Sequence, residues 1–253
     1  MSATVYLVGA GPGNPDLLTL RAARLLERAD IVFHDALVHE DTLALATRAR
    51  LVAVGKRCGK LSTAQRFINK QLAEAARHHD VVVRLKGGDP MLFGRAQEEI
   101  DALHQDGVTV EIVPGISAAL SASADIAQSL TQRGLSRSVV FVTPRFGPGE
   151  NEHDWARAAS SADTVALYMA SRQAAVISAG LIAVGVPASR PAVFVENASL
   201  ASRRMIATRV GDLADAATQL GGGPALLLIG NVYHDIVAAA DQPLRDTAIR
   251  ITA

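Results

Sequence analysis

The stretch TVYLVGAGPGNPDLL, residues 4–18, decides the fold. Thr4–Gly9 is a short β-branched and apolar run of the kind that forms a buried strand. Gly9, Gly11 and Gly13 then interleave with Pro12 and Pro15, which ends the strand in a tight loop. Beyond the loop, Leu17, Leu20, Ala23 and Leu25/Leu26 recur near a helical period, with Asp16 as the expected N-cap. Strand, glycine-rich loop and helix in that order point to an α/β architecture.

The same alternation continues outward from this segment. Strands are predicted at Ile31–His34, Leu51–Gly55, Asp80–Leu85 and Val108–Val113. Between them lie a helix opened by the capping-box string Ser62-Thr63-Ala64-Gln65 and another over Arg95–Gln105. Pro114-Gly115 breaks the pattern and is the expected boundary, giving an N-terminal α/β domain over 1–114. A second α/β domain is expected over 115–237, with a loosely held polar tail over 238–253. Its strands are predicted at Ser138–Thr143, Thr164–Met169, Pro191–Glu196, Arg204–Thr208 and Pro224–Gly230. The halves look alike in layout without a sequence repeat. A cleft between two such domains is the expected ligand site.

Composition narrows the function. The 253 residues are 49% hydrophobic and 20% charged, enough apolar material for a substantial core. The 25 basic and 25 acidic residues cancel, which argues against a nucleic-acid binder. All of the basic residues except Lys56, Lys60, Lys70 and Lys86 are arginine, the side chain suited to bidentate binding of carboxylates or phosphates. No apolar run is long enough to span a membrane, and the first residues lack the pattern of a signal peptide. Cys58 is the only cysteine, so neither an internal disulfide nor a thiolate metal site is expected. A soluble, cytoplasmic protein follows as the expectation.

The first loop invites comparison with the dinucleotide fingerprint G-x-G-x-x-G. Gly9 and Gly11 fit, but Asn14 occupies the third glycine position and Pro12 removes an N–H from the loop. Asp35, just past the second strand, would imitate the ribose-binding acid. The mismatch leaves a nicotinamide-dependent oxidoreductase as a minor alternative. A second glycine turn, Gly87-Gly88-Asp89-Pro90, lets backbone approach a ligand closely. A third, Pro114-Gly115-Ile116-Ser117-Ala118, opens a helix and presents free N–H groups.

Taken together, VGAGPGNPDLLTLRA (8–22), VGKR (54–57), VVRLKGGDPMLFGR (82–95), VEIVPGIS (110–117) and LYM (167–169) resemble the tetrapyrrole methyltransferases. Within that family the strings are most similar to the stand-alone members that methylate uroporphyrinogen III twice to give precorrin-2, for sirohaem and cobalamin. The resemblance runs from about Val5 to Val232. It implies the class III methyltransferase fold: two α/β/α domains with the active-site cleft between them. It also implies S-adenosyl-L-methionine as methyl donor, S-adenosyl-L-homocysteine as product, and a homodimer. Cofactor contacts would fall on Pro12, Gly87, Gly88, Asp89, Leu92, Ser117 and Ala118, and in the second domain on Met169, Ala198 and Ala225. Asp35 would be the base and Lys56 the proton donor. Arg95, Thr131 and Arg133 would line the tetrapyrrole side.

Several positions depart from the family pattern. Gln132 stands in place of histidine, Thr143-Pro144-Arg145 in place of Thr-Gly-His, Met169-Ala170 in place of Met-Gly, and Ala198 in place of glycine. Asn231 replaces an acidic residue. These changes bear on the substrate side and keep another precorrin methyltransferase open as an alternative. A non-catalytic binding module is the remaining one. The expected chemistry needs no metal or acyl intermediate, because a reduced pyrrole carbon is electron-rich enough to attack a sulfonium methyl. A carboxylate such as Asp35 would then stabilise the resulting cation and take the departing proton.

Overall fold

The computed structural model describes residues 4–54, 61–145 and 154–242. The chain divides into two compact units, residues up to Ser121 with Ser199–Ala201, and Ala122–Ala198 with the residues from Ser202 onward.

The first unit carries a five-stranded parallel sheet: β1 (Thr4–Gly9), β2 (Ile31–His34), β3 (Arg50–Ala53), β4 (Val81–Lys86) and β5 (Thr109–Val113), in the order β3-β2-β4-β1-β5. Its helices are α1 (Leu20–Arg28), α2 (Glu40–Ala44), α3 (Leu61–Ala76), α4 (Ala96–Gln105) and α5 (Ala118–Asp125). Successive strand residues feed opposite layers. Val5, Leu7, Phe33 and Val82 pack with Leu72 and Leu103, while Val8, Val32, Val83 and Leu85 pack with Leu25 and Leu26. Burial on both faces explains why the central strands read as continuous apolar runs.

Two local expectations are corrected. Helix α1 is capped by Thr19, whose hydroxyl accepts the Ala22 N–H at 3.1 Å, and not by Asp16. Asn14 instead accepts the Asp16 N–H at 2.9 Å and closes one 3₁₀ turn over Pro15–Leu17, after which Leu18 returns to extended backbone. Helix α3 begins at Leu61, so Ser62 lies inside it rather than at its cap.

The second unit has β6 (Val139–Val142), β7 (Thr164–Leu167), β8 (Pro191–Glu196), β9 (Arg204–Arg209) and β10 (Ala225–Gly230), in the order β6-β7-β10-β8-β9. Only β6 and β7 pair in parallel; the other pairs are antiparallel. The likeness in layout between the halves therefore stops at the level of α/β alternation. Helices α6 (Trp155–Ser160), α7 (Ala174–Ala183), α8 (Leu213–Ala217) and α9 (His234–Ala240) complete the unit. Trp155, Ile177, Leu181, Phe194, Leu213 and Leu227 form the centre of its core.

The boundary falls inside α5 rather than at Pro114-Gly115. Gly115 is tied to the first unit by the Asp89 carboxylate, which accepts its N–H at 2.9 Å. The polar tail also starts later than 238. Helix α9 continues to Ala240, and Asp241 forms an ion pair with Arg209. Among the described residues, no helix is long and apolar enough to cross a membrane.

Candidate active site

In a parallel sheet all strands end at the same edge, and loops leaving that edge build ligand sites. In the first unit this edge carries Pro12, Asp35, Gly87, Gly88, Asp89, Leu92, Arg95 and Ser117 on the loops that follow β1, β2, β4 and β5, and Ala118 at the start of α5. The glycines make this convergence possible. A Cβ on Gly9 would lie 2.6 Å from the Gly115 Cα, and one on Gly115 would lie 2.3 Å from the Gly88 carbonyl oxygen. The Gly88 N–H donates to the Gly11 carbonyl at 2.7 Å, and the Gly11 N–H returns to Gly88 at 3.2 Å. Gly9, Gly11 and Gly115 thus serve loop-against-loop packing. Gly87 and Gly88 differ. Gly88 has φ +67° with nothing within 4 Å of its would-be Cβ, and a Cβ on Gly87 would meet only Leu37 at 3.6 Å.

Asp89 binds this cluster together. One carboxylate oxygen accepts the Met91 N–H at 2.8 Å and the other the Gly115 N–H at 2.9 Å. The Leu92 N–H closes the turn on the Asp89 carbonyl at 3.3 Å. Ser117 is buried and precedes Ala118, the first residue of α5; its carbonyl accepts the Leu120 N–H at 3.0 Å and the Ser121 N–H at 3.3 Å.

Asp35 does not cap the helix that follows it; His39 does, its Nδ1 accepting the Asp41 N–H. The Asp35 Oδ1 instead accepts Arg84 Nη2 at 2.6 Å. Arg84 is the hub of a buried charge cluster. Its Nε donates to Glu99 at 3.0 Å and its Nη1 to the Leu85 carbonyl at 3.1 Å. Glu99 also accepts Lys86 Nζ at 3.0 Å and the Gln65 side-chain amide at 3.1 Å. The Arg84, Lys86 and Glu99 side chains are 3%, 4% and 0% exposed, against 32% for Asp35. Burial, reinforced by the Arg84 charge, lowers the Lys86 pKa below the ordinary lysine value, with Glu99 and Asp35 opposing.

Arg95 stands at the N-cap of α4 with φ 54° and makes a bidentate pair with Glu98, both contacts at 2.6 Å. Lys56 lies outside the described residues.

In the second unit, Met169, Ala198 and Ala225 gather at one end of the mixed sheet. Met169 follows β7, Ala198 follows β8, and Ala225 opens β10 opposite Glu196. Buried Glu196 accepts the N–H groups of Gly221 at 2.9 Å and Gly223 at 2.8 Å, fixing the loop before β10. Thr131 and Arg133 sit elsewhere. Their loop is anchored by Ser136, whose hydroxyl meets Thr164 at the start of β7, the end of the sheet away from Met169. Arg133 is exposed and makes no ion pair with a described residue.

Backbone strain concentrates on the same strings. Phe93, Arg95, Met169, Asn197 and Ser199 all adopt positive φ, between 53° and 70°; Ala127 is the other described non-glycine residue that does. Such conformations cost on the order of 1–3 kcal/mol each and cluster at functional sites.

The sequence reading missed Arg84, Lys86, Glu99 and Glu196. A signal for the first two was present: cations two apart on a strand expected in the core must meet buried acids.

A parallel sheet with glycine-packed loops at one edge, followed along the chain by a mixed α/β unit with strained loops of its own, is the architecture of an α/β enzyme. The chain belongs to the tetrapyrrole (corrin/porphyrin) methylases, whose family pattern matches residues 4–214. It is 44% identical over 245 residues to the uroporphyrinogen-III C-methyltransferase of Pseudomonas aeruginosa, covering 96% of this chain and 98% of that one. It is 42% identical to siroheme synthase 1 of Klebsiella pneumoniae, over 91% of this chain but only 49% of that protein. The uroporphyrin-III C-methyltransferase of Thermus thermophilus, solved with S-adenosyl homocysteine, superposes with a TM-score of 0.80 at 38% identity, covering 92% of this chain and 99% of that one.

Proposed function

We propose that this protein methylates uroporphyrinogen III at two carbons, giving precorrin-2 for sirohaem or cobalamin, with S-adenosyl-L-methionine as donor and S-adenosyl-L-homocysteine as product. The observation that carries this assignment is the near full-length match to the Pseudomonas enzyme, in which this chain covers 98% of the relative.

The residues present suit the donor. The Gly87-Gly88 turn, its Gly88 amide and carbonyl held by Gly11, lets a ligand lie against backbone with no side chain in the way. Pro12, Asp89, Leu92, Ser117 and Ala118 are the further donor contacts proposed in the first unit, and Met169, Ala198 and Ala225 those proposed in the second. Half-exposed Met169 offers a polarizable thioether suited to a sulfonium-bearing ligand. When bound, the donor supplies the methyl group: a carbon–carbon bond forms to the pyrrole, the sulfur–methyl bond breaks, and its electron pair stays on sulfur.

The chain's own residues hold and neutralise. Loops fixed by packing and hydrogen bonds keep the reacting carbon aligned, the arrangement that yields large effective molarities. Asp35, with Oδ1 held by Arg84, turns its remaining carboxylate oxygen to the cation left on the macrocycle and takes the proton that must leave. Lys56 is the proposed proton donor. Arg95 receives the substrate's carboxylates by exchanging Glu98 for a substrate anion. The protein acts as a cytoplasmic homodimer, a reading that rests on family resemblance and sequence pattern.

Anaerobic incubation with uroporphyrinogen III and S-adenosylmethionine, followed by product mass, tests the function. Gain of two methyl groups is expected. Gain of one would move the protein to another precorrin step, and gain of none would overturn the assignment.

A further inference from the structure

Arg84, Lys86 and Glu99 form a buried charged knot. Replacing buried ion pairs by apolar residues of similar volume is often neutral or stabilising, so such a cluster is weak evidence for stability. Its placement is specific. Val82, Arg84 and Lys86 share one face of β4, where Val82 belongs to the apolar layer with Leu72 and Leu103, and the charges begin as the strand nears its loop. Glu99 comes from the first turn of α4, where negative charge is favoured by the helix dipole.

The knot has two outlets. At one, Arg84 Nη2 reaches Asp35 Oδ1 at 2.6 Å across the β4–β2 pairing. At the other, the Lys86 stem supports the turn that carries Arg95: a Cβ on Gly94 would lie 3.2 Å from Lys86 Cε. Glu99 gives one carboxylate oxygen to each cation and leaves the Nη2 group of Arg84 to Asp35.

We infer that Arg84, clamped by Glu99, is a positioning residue that aims the Asp35 carboxylate, a role that rests on Asp35 taking the proton. The Arg84 guanidinium is planar and forked. Its Nε faces Glu99 while Nη2 faces Asp35, so the carboxylate of Asp35 is oriented by a group that is itself locked. Lysine retains the charge but cannot span both acids.

A double-mutant cycle tests this, with two-methyl product formation, S-adenosyl-L-homocysteine titration and thermal melting as readouts. Arg84→Lys is expected to lower kcat about 10- to 100-fold, within the range of a misplaced general base. The Kd for S-adenosyl-L-homocysteine should stay within about twofold. In an Asp35→Asn background, itself slow, Arg84→Lys should cost nothing further. Should Arg84→Lys fail to fold, the pair Arg84→Gln with Glu99→Gln removes one charge of each sign and takes its place in the cycle. Full activity of Asp35→Asn overturns the proton-acceptor assignment. A slow Asp35→Asn variant with additive loss from Arg84→Lys overturns only the positioning role.

Discussion

The Asp89 Oδ2 accepts the Gly115 N–H at 2.9 Å, and this single bond joins the loop after β4 to the loop after β5. The other oxygen of the same carboxylate closes its own turn on the Met91 N–H. Asp89→Ala removes both acceptors and leaves two N–H groups to find others. The expected cost is about 1–3 kcal/mol of stability by chemical denaturation, with weaker S-adenosyl-L-homocysteine binding by titration. Asparagine keeps one acceptor oxygen and should fall between the two.

Two glycines in adjacent loops make opposite predictions. A methyl on Gly115 would collide with backbone at 2.3 Å, whereas one on Gly87 meets only ordinary contact at 3.6 Å. Gly115→Ala should therefore destabilise by about 1–3 kcal/mol or more, as overpacking does. Gly87→Ala should melt like the parent protein yet bind S-adenosyl-L-homocysteine more weakly, because the added methyl stands where the donor is proposed to lie. Calorimetric titration beside a melting curve separates them.

Glu99 is the only acid that holds both Arg84 and Lys86 among the described contacts. Glu99→Gln leaves the two buried cations without their shared counter-charge and is expected to cost about 3–5 kcal/mol, read by denaturation. A loss below about 1 kcal/mol would mean that water or rearrangement replaces it.

Tyr233 is wholly buried, and its hydroxyl has no partner among the described residues. An unpaired buried hydroxyl is a liability, so Tyr233→Phe should be neutral or stabilising by about 1 kcal/mol at neutral pH. Burial raises the pKa of the phenol above the ordinary tyrosine value. The unfolded chain therefore loses this proton first as pH climbs past about 10, and stability declines there. The advantage of Tyr233→Phe over the parent should widen above that pH, as measured by denaturation across the alkaline range.

The first unit was largely legible because its central strands are buried on both faces, and a run such as Val81–Lys86 shows this in its residues. The direction of the strands in the second unit was not. Every residue of β8 is buried, so Pro191–Glu196 carries no alternation to distinguish an antiparallel neighbour from a parallel one. The cap of α1 was missed because Asn14 and Thr19 are both competent caps, and Asp16 between them is already engaged by Asn14. Of the site, glycine loops and Asp35 were visible as motifs. The partners of Asp35 were not, since the Arg84–Asp35 and Arg84–Glu99 contacts depend on strand order and helix placement.

Ser199–Ala201 belong to the first unit although they are written far along the chain. Ser199 Oγ accepts the Asn14 N–H at 2.9 Å, and a Cβ on Gly13 would lie 3.0 Å from Leu200. Neither half of the gene is therefore a self-sufficient cassette. A chimera spliced at Ser121 would inherit its first glycine loop from one parent and the peg that steadies it from the other, so shuffling among relatives succeeds only when both travel together.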